Sequence, residues 1–214
     1  KTDTWTEHTL GNTTTRSDGI YDNDYHSQHI TATLNYIYKL DDKGSTLKLI
    51  GDYTNSQSPN SNNYFDTTYD LATPLLKRDS TYRQRSMSHY QLATATLAME
   101  KVLTHKVTLK AGAKYTYNNN DNSADYEYFA NNIWNMNNER SYNIAYTENI
   151  GALYATASAR LGRVSLVGGL RGEYTSFRSA DGAVKQDYFD LFPNANISWS
   201  MTADGSYSLI AQYA

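Results

Sequence analysis

The chain has no cysteine, which excludes a disulfide framework and any cysteine chemistry, while leaving the compartment open. It has no apolar run near the ~18 residues of a membrane helix. It has no surplus of charge, since 19 basic residues against 22 acidic ones leave a net of -3; that excludes both a basic nucleic-acid surface and charge-driven disorder. It has no G-x-S-x-G, no H-E-x-x-H and no phosphate loop, so a nucleophile, base and orienting acid would have to come from scattered Ser, His and Asp that no pattern singles out. The expectation is of no enzyme, no metal and no cofactor. Only 39% of the 214 residues are hydrophobic, yet 20 are Tyr, a thin supply for a solid core. A membrane β-strand needs only ~9–11 residues with alternate ones apolar, so a mean hydropathy of -0.68 does not exclude the membrane.

What is present is period-two alternation. In VSLVGGLRGEYTSF, Val164 to Phe177, the residues Val164, Leu166, Gly168, Leu170, Gly172 and Tyr174 fall on one face. The other face holds Ser165, Val167, Gly169, Arg171, Glu173, Thr175 and Phe177, as in a strand with one apolar and one wet side. The stretch is entered through Gly162-Arg163 and left through a polar loop from Arg178 to Asp187. The same pattern places strands at Thr2 to Leu10, His26 to Leu40, Thr46 to Asn55, Ser86 to Met99, Lys106 to Asn118, Tyr146 to Leu161, Phe189 to Met201 and Ser206 to Ala214, making about nine in all. At Ser86 to Met99 two registers compete, one with Leu92, Thr94, Thr96 and Ala98 together and one with Ala93, Ala95, Leu97 and Met99.

Every second connection is a turn of a few residues. The intervening ones, among them GNTTTRSDGIYDND, Ser56 to about Thr81 with Pro59 and Pro74, and NNNDNSADYEYFANNIWNMNNERS, read as long polar loops gathered at one end. Two architectures fit an all-β antiparallel up-and-down meander of this kind. One is part of a transmembrane β-barrel, with short turns on one side, long loops on the other and aromatic girdles between. The other is a soluble or surface-exposed β-sheet binding or adhesion module. Tyr53, Tyr115, Tyr117, Tyr174, Phe189 and Phe192 fall at the long-loop ends and Tyr36, Tyr38, Trp199 and Tyr207 near the short turns, as girdles require. Strands well beyond the usual five or six residues also favour the barrel.

The C-terminal third adds a resemblance. Glu148 to Tyr154, then Gly169-Leu170-Arg171-Gly172-Glu173-Tyr174-Thr175, then Tyr188 to Pro193 resemble the acidic Ala/Tyr strand, the G-L-R-x-E-x-T strand and the D/Y-x-x-x-F-P strand of outer-membrane β-barrel proteins related to TonB-dependent receptors, of the Bacteroidetes type. The resemblance implies a cell-outer-membrane location, contact with outer-membrane lipid, and a barrel of about 22 strands engaged in ligand capture and transport of a small ligand. It also implies a TonB-type energising partner acting through a plug domain. The run from Lys1 to Ala214 reads as a single barrel segment cut at both ends, with no plug within it.

Candidate site residues follow from this. Lys48, Asp52, Lys110, Lys114, Arg171 and Glu173 are expected on the lumen-facing side; for Arg171 and Glu173 a lateral ion pair on a water-facing wall is the simplest role. Tyr126, Tyr128, Phe129 and Trp134 are loop aromatics suited either to stacking on a ligand or to packing the loop on itself. Asp121, Asp125 and Glu127 lack the Gly and terminal Glu of a calcium loop and read as solvated acids. His26 and His29, three apart on a strand, point to opposite faces.

Overall fold

The computed structural model of the chain describes residues 1–10, 13–72, 76–204 and 206–213. Gly11, Pro74, Gly205 and Ala214, each given a place in the expected connections or strands, lie outside them. The strands are β1 (Thr2–Leu10), β2 (Thr13–Tyr25), β3 (Gln28–Lys39), β4 (Thr46–Asp70), β5 (Leu76–Thr104), β6 (Val107–Ala130), β7 (Ile133–Met136), β8 (Tyr142–Leu161), β9 (Val164–Ser179), β10 (Lys185–Ser200) and β11 (Ser208–Tyr213). They form one sheet in the order β1-β2-β4-β5-β6-β8-β9-β10-β11, with β3 beside β4 and β7 beside β6. The all-β antiparallel meander is therefore as expected.

Among the described residues there are eleven strands rather than about nine, and the long polar loops are a misreading. GNTTTRSDGIYDND is mostly β2. The stretch from Ser56 continues β4 to Asp70 and is already β5 at Leu76, and the Asn-rich run is the end of β6 followed by β7. β4 has 25 residues, β5 has 29 and β6 has 24, more than twice the ~9–11 that cross a bilayer. The physical reason is that a backbone ladder does not need an apolar face. Where both faces are polar the hydrophobic alternation vanishes, but Thr15 to Tyr25 still pairs residue by residue with Asn60 to Asp70.

The chain divides into two compact units. One comprises Lys1–His29, Ser56–Tyr90 and Asn120–Ala145; the other comprises Ile30–Asn55, Gln91–Asn119 and Tyr146–Ala214. We refer to them as the polar unit and the wall unit.

In the wall unit, alternation is clear and the register is continuous. β9 pairs with β8 from Val164 opposite Leu161 to Ser179 opposite Tyr146, and with β10 from Val164 opposite Trp199 to Arg178 opposite Lys185. Directly opposed residues share a face, so Leu166 and Ile197, Leu170 and Pro193, and Tyr174 and Phe189 lie together. Phe192 opposes Arg171 and so belongs to the polar face, not to the aromatic row with Phe189. In β5 the register is settled by exposure: Ala95, Leu97 and Met99 are the exposed set, and Thr94, Thr96 and Ala98 the covered one.

The turns of this unit are tight and chemically specified. Gly162 takes the left-handed conformation (φ 61°) that a two-residue hairpin turn demands. At the turn between β3 and β4, Asp41 Oδ1 accepts from the backbone N of Lys43 (3.0 Å) and Ser45 (3.1 Å), and Lys101 Nζ donates to Asp41 Oδ2 at 2.7 Å. These donors, Lys101 first, hold the Asp41 carboxyl well below the usual carboxylate range. Fully buried Ser45 accepts on Oγ from the backbone N of Val102 at 3.0 Å, fastening the turn to β5.

Neither unit has an apolar core among the described residues: the buried hydrophobic side chains are Ala124 and Ala152. The accessible surface is 14910 Å² for 24.2 kDa, against about 10,000 Å² for a folded monomer of that mass by the usual scaling. Leu153 is 70% exposed, Leu170 and Ile197 50% and Leu109 39%. A soluble sandwich would bury those side chains against a second sheet. Here they stand exposed on one face, the arrangement a lipid-facing surface requires.

Candidate functional site

One face of the wall unit brings Asp52, Lys110, Arg171 and Glu173 into a chain of side-chain contacts across its strands. Asp52 on β4 accepts from Thr33 of β3 (3.0 Å) and Thr94 of β5 (3.1 Å), so these three strands present one common face. Lys110 on β6 lies 3.3 Å from Glu100 on β5, extending that face by another strand. Gly112, two residues beyond Lys110, is crossed by the Tyr154 ring of β8; a Cβ there would also stand 2.7 Å from the Leu97 carbonyl. Tyr154 opposes Arg171 in register, and the guanidinium lies 5.9 Å from that ring's centroid. Arg171 Nε donates to Glu173 Oε1. Lys48 and Lys114 share strand parity with Asp52 and Lys110. The Arg171–Glu173 contact is a lateral ion pair within one strand, and both side chains are only partly exposed.

The polar unit carries the aromatics. Tyr126, Tyr128, Phe129 and Trp134 sit not on a loop but on the β6–β7 hairpin, closed by Asn131 and Asn132 at φ 53° and 66°, the paired left-handed conformation of a primed turn. Phe129 opposes Trp134 in register, and their rings meet edge to face at 5.3 Å. Arg83 of β5 lies 4.0 Å from the Trp134 centroid and grips Glu127 through two bonds, Nε to Oε2 at 2.5 Å and Nη2 to Oε1 at 3.0 Å. Arg85 adds a longer contact of 3.9 Å to the same carboxylate. Arg83 holds the Glu127 carboxyl below its ordinary range, and burial opposes it. Glu127 is thus an ion-pair residue. Among the described residues no group of three acidic or His side chains gathers at metal-binding range.

On Tyr64 of β4 two further rings converge. Tyr21 of β2, its register partner, lies 5.0 Å away, and Tyr82 of β5 stacks on it at 4.5 Å and 11°. The column is fixed at one end, where the Tyr21 hydroxyl donates to Oδ1 of buried Asn62 at 2.6 Å. Burial pushes the Tyr82 phenol up to about 12, with Asp66 adding to the shift, so it stays a neutral hydrogen-bonding group at any physiological pH.

Beside this column the surface hollows into a concavity of about 600 Å³, lined by Tyr82, Tyr126, Tyr128 and Arg140 among others. On the opposite face of the ladder Asp79 accepts from the Thr67 hydroxyl at 2.8 Å. Arg140 is placed by an Asn137-centred turn, its backbone N lying 3.2 Å from both the Asn137 carbonyl and its Oδ1. Two of the four aromatics named from the sequence, Tyr126 and Tyr128, line this hollow; Trp134 instead braces Phe129 and Arg83. Sequence reasoning missed Tyr64, Tyr82, Arg83 and Arg140. The one signal that pointed to them was the Tyr density of segments dismissed as loops.

A family model described as the outer membrane protein beta-barrel family matches residues 38–214. No curated protein matches the chain in sequence. Among solved structures, the ferric citrate transporter FecA in its unliganded form is similar at 14% identity over 94% of this chain and 36% of its own, with a TM-score of 0.43. The FrpB iron transporter from Neisseria meningitidis is similar at 13% identity over 93% and 41% (TM-score 0.40). The ferripyoverdine receptor of the outer membrane of Pseudomonas aeruginosa is similar at 10% identity over 97% and 39% (TM-score 0.40). The chain spans about two fifths of the length of these structures.

Proposed function

The chain belongs to the outer membrane protein β-barrel family, and from that premise we propose that it forms part of the wall of a ligand-capturing transport barrel, with the wall unit in the bilayer. In this reading the exposed Leu and aromatic face of the wall unit meets lipid. Lys48, Asp52, Lys110, Lys114, Arg171 and Glu173 face a water-filled lumen. The aromatics of the polar unit contact the ligand. A TonB-type partner acting on a plug supplies the energy for passage.

The observation that carries the reading is the pairing of an uncovered apolar face with a hydrogen-bonded polar face across one sheet. Leu109 and Lys110, and Leu170 and Arg171, differ by one residue and by face, the lipid-out, lumen-in alternation of a barrel wall. The units also divide the turns. Gly162-Arg163 is a turn within the wall unit, whereas Asn131-Asn132 caps a hairpin of the polar unit.

That division is testable in the whole protein on living cells. A short epitope inserted between Asn131 and Asn132 is expected to be stained by antibody on intact cells. The same epitope between Gly162 and Arg163 is expected to stain only after the outer membrane is permeabilised. Staining of the second site on intact cells, or of neither before permeabilisation, would contradict the orientation on which capture depends.

A further inference from the structure

The face of the polar unit turned away from the Tyr64–Tyr82 column carries rings and charges of its own. We infer that the surface formed there by β1, β2 and β4 around Trp5 is a docking site for a peptide that presents arginine, independently of the capture reading above.

Strand register puts the residues of this surface on one side of the sheet. Trp5 opposes Asp18, and Asp18 opposes Thr67. Asp3, Ile20 and Phe65 form the row on one side of these, and Glu7, Arg16 and Tyr69 the row on the other. Directly opposed residues share a face. Along β4, Phe65, Thr67 and Tyr69 alternate with Tyr64, Asp66 and Thr68, so the tyrosine column stands on the reverse side. The three rows border a hollow of about 510 Å³. Trp5 is 63% exposed beside it and Phe65 45%.

The chain itself shows which group these rows hold. The Arg16 guanidinium lies 5.5 Å from the centroid of the Trp5 ring, and its Nε donates to Asp18 Oδ1 at 2.6 Å. A flat cation that stacks on an indole while pairing with a carboxylate is arginine chemistry. The lysine ammonium is a hydrated point charge with no planar face to stack.

Arg16 does not saturate the site. Among the described residues, Asp3, Glu7, Asp18 and Asp79, the last bonded to Thr67, stand against Arg16 alone. This excess of acid repels an anion and sets a cationic partner as the complementary one. The carboxylates come from β1, β2 and β5, so one guanidinium cannot meet them all, and a chain carrying several can. A bare metal ion is not the match, because among the described residues no three acidic or His side chains gather at ligating range.

The test measures fluorescence anisotropy of fluorescein-labelled hexaarginine with the full chain in detergent micelles, and of hexalysine as the comparator of equal charge. Hexaarginine is expected to bind several-fold more tightly. Trp5→Ala should weaken it about tenfold, the scale of one desolvated cation–π contact, and Trp5→Phe should recover part of the loss. Arg16→Gln vacates Trp5 and Asp18 and should tighten binding several-fold, beyond the effect of Lys43→Gln, which removes the same charge from a turn of the wall unit. Because it acts in the opposite direction to Trp5→Ala, this gain cannot come from misfolding. Absence of hexaarginine binding overturns the inference. So do equal affinities for the two peptides, unchanged affinity in Trp5→Ala, or an Arg16→Gln chain no tighter than Lys43→Gln, since each reduces the site to a diffuse acidic surface.

Discussion

Gly112→Ala is expected to destabilise the wall unit by about 2–3 kcal/mol, the upper part of the range for forced overpacking, and to lower its thermal transition in detergent by several degrees. The added Cβ would collide with the Tyr154 phenol and approach the Leu97 carbonyl to 2.7 Å. The phenol can swing away, but the carbonyl belongs to the neighbouring strand and cannot move without loosening the ladder. Displacing Tyr154 also removes the ring beneath Arg171, so the polar face loses order as well as stability. Gly168→Ala is the matched control: nothing lies within 4 Å of the Cβ it would add, and it is expected to leave the transition unchanged or raise it slightly. Equal transitions for the two variants would show that Tyr154 does not lie across Gly112.

Leu170→Arg is expected to cost about 2–4 kcal/mol in a bilayer, the penalty for a cation at mid-depth on a lipid-facing strand. Leu170 lies between the row formed by Val164 and Trp199 and the row formed by Tyr174 and Phe189, well away from either aromatic boundary, so the guanidinium cannot easily reach headgroups. Val167→Arg, on the opposite face and opposite Asn196 and Ser158, is expected to cost under ~1 kcal/mol, since it adds a charge to a wet surface. The comparison is read by urea unfolding of the chain refolded in liposomes. A Leu170→Arg protein as stable as Val167→Arg would remove the lipid from that face.

How far the sequence foretold this structure depends on what the chain faces. Val164 to Phe177 was legible as a two-faced strand because Leu166, Leu170 and Tyr174 meet one medium while Gly169, Arg171 and Glu173 meet another. The alternation is imposed by that difference. Asn60 to Asp70 was not legible, because Asn62 and Thr68 are polar and meet hydrogen-bonding partners on β2, Tyr21 and Ser17, so no apolar alternation marks the ladder. Pro59 reinforced the loop reading, yet its carbonyl accepts from His26 N at 3.1 Å, and a proline that need only accept is tolerated in a ladder. The β5 register was ambiguous because Thr94, Thr96 and Ala98 are small and nearly as apolar as Ala93 and Ala95. The exposure of Ala95, Leu97 and Met99 and the bond from Thr94 to Asp52 together put Thr94 on the polar face.

The candidate site divides in the same way. Lys110, Arg171 and Glu173 could be assigned to one face by counting in twos. The Tyr21–Tyr64–Tyr82 column could not, since it joins residues from three strands whose pairing no local pattern reveals, and Glu127 was read as a solvated acid because its partner Arg83 lies 44 residues away.

The central claim is that alternate residues of the wall unit face lipid and water, and the absence of any native cysteine makes it directly measurable. Single cysteines at Leu109, Leu170 and Ile197, and at Lys110 and Glu173, carry a nitroxide label in the liposome-bound chain, and each is exposed in turn to molecular oxygen, which concentrates in lipid, and to a water-soluble nickel chelate. The account predicts that oxygen dominates relaxation at Leu109, Leu170 and Ile197, and the chelate at Lys110 and Glu173. Labels shielded from both reagents at the three apolar positions would mean that another protein surface covers them, and would contradict it.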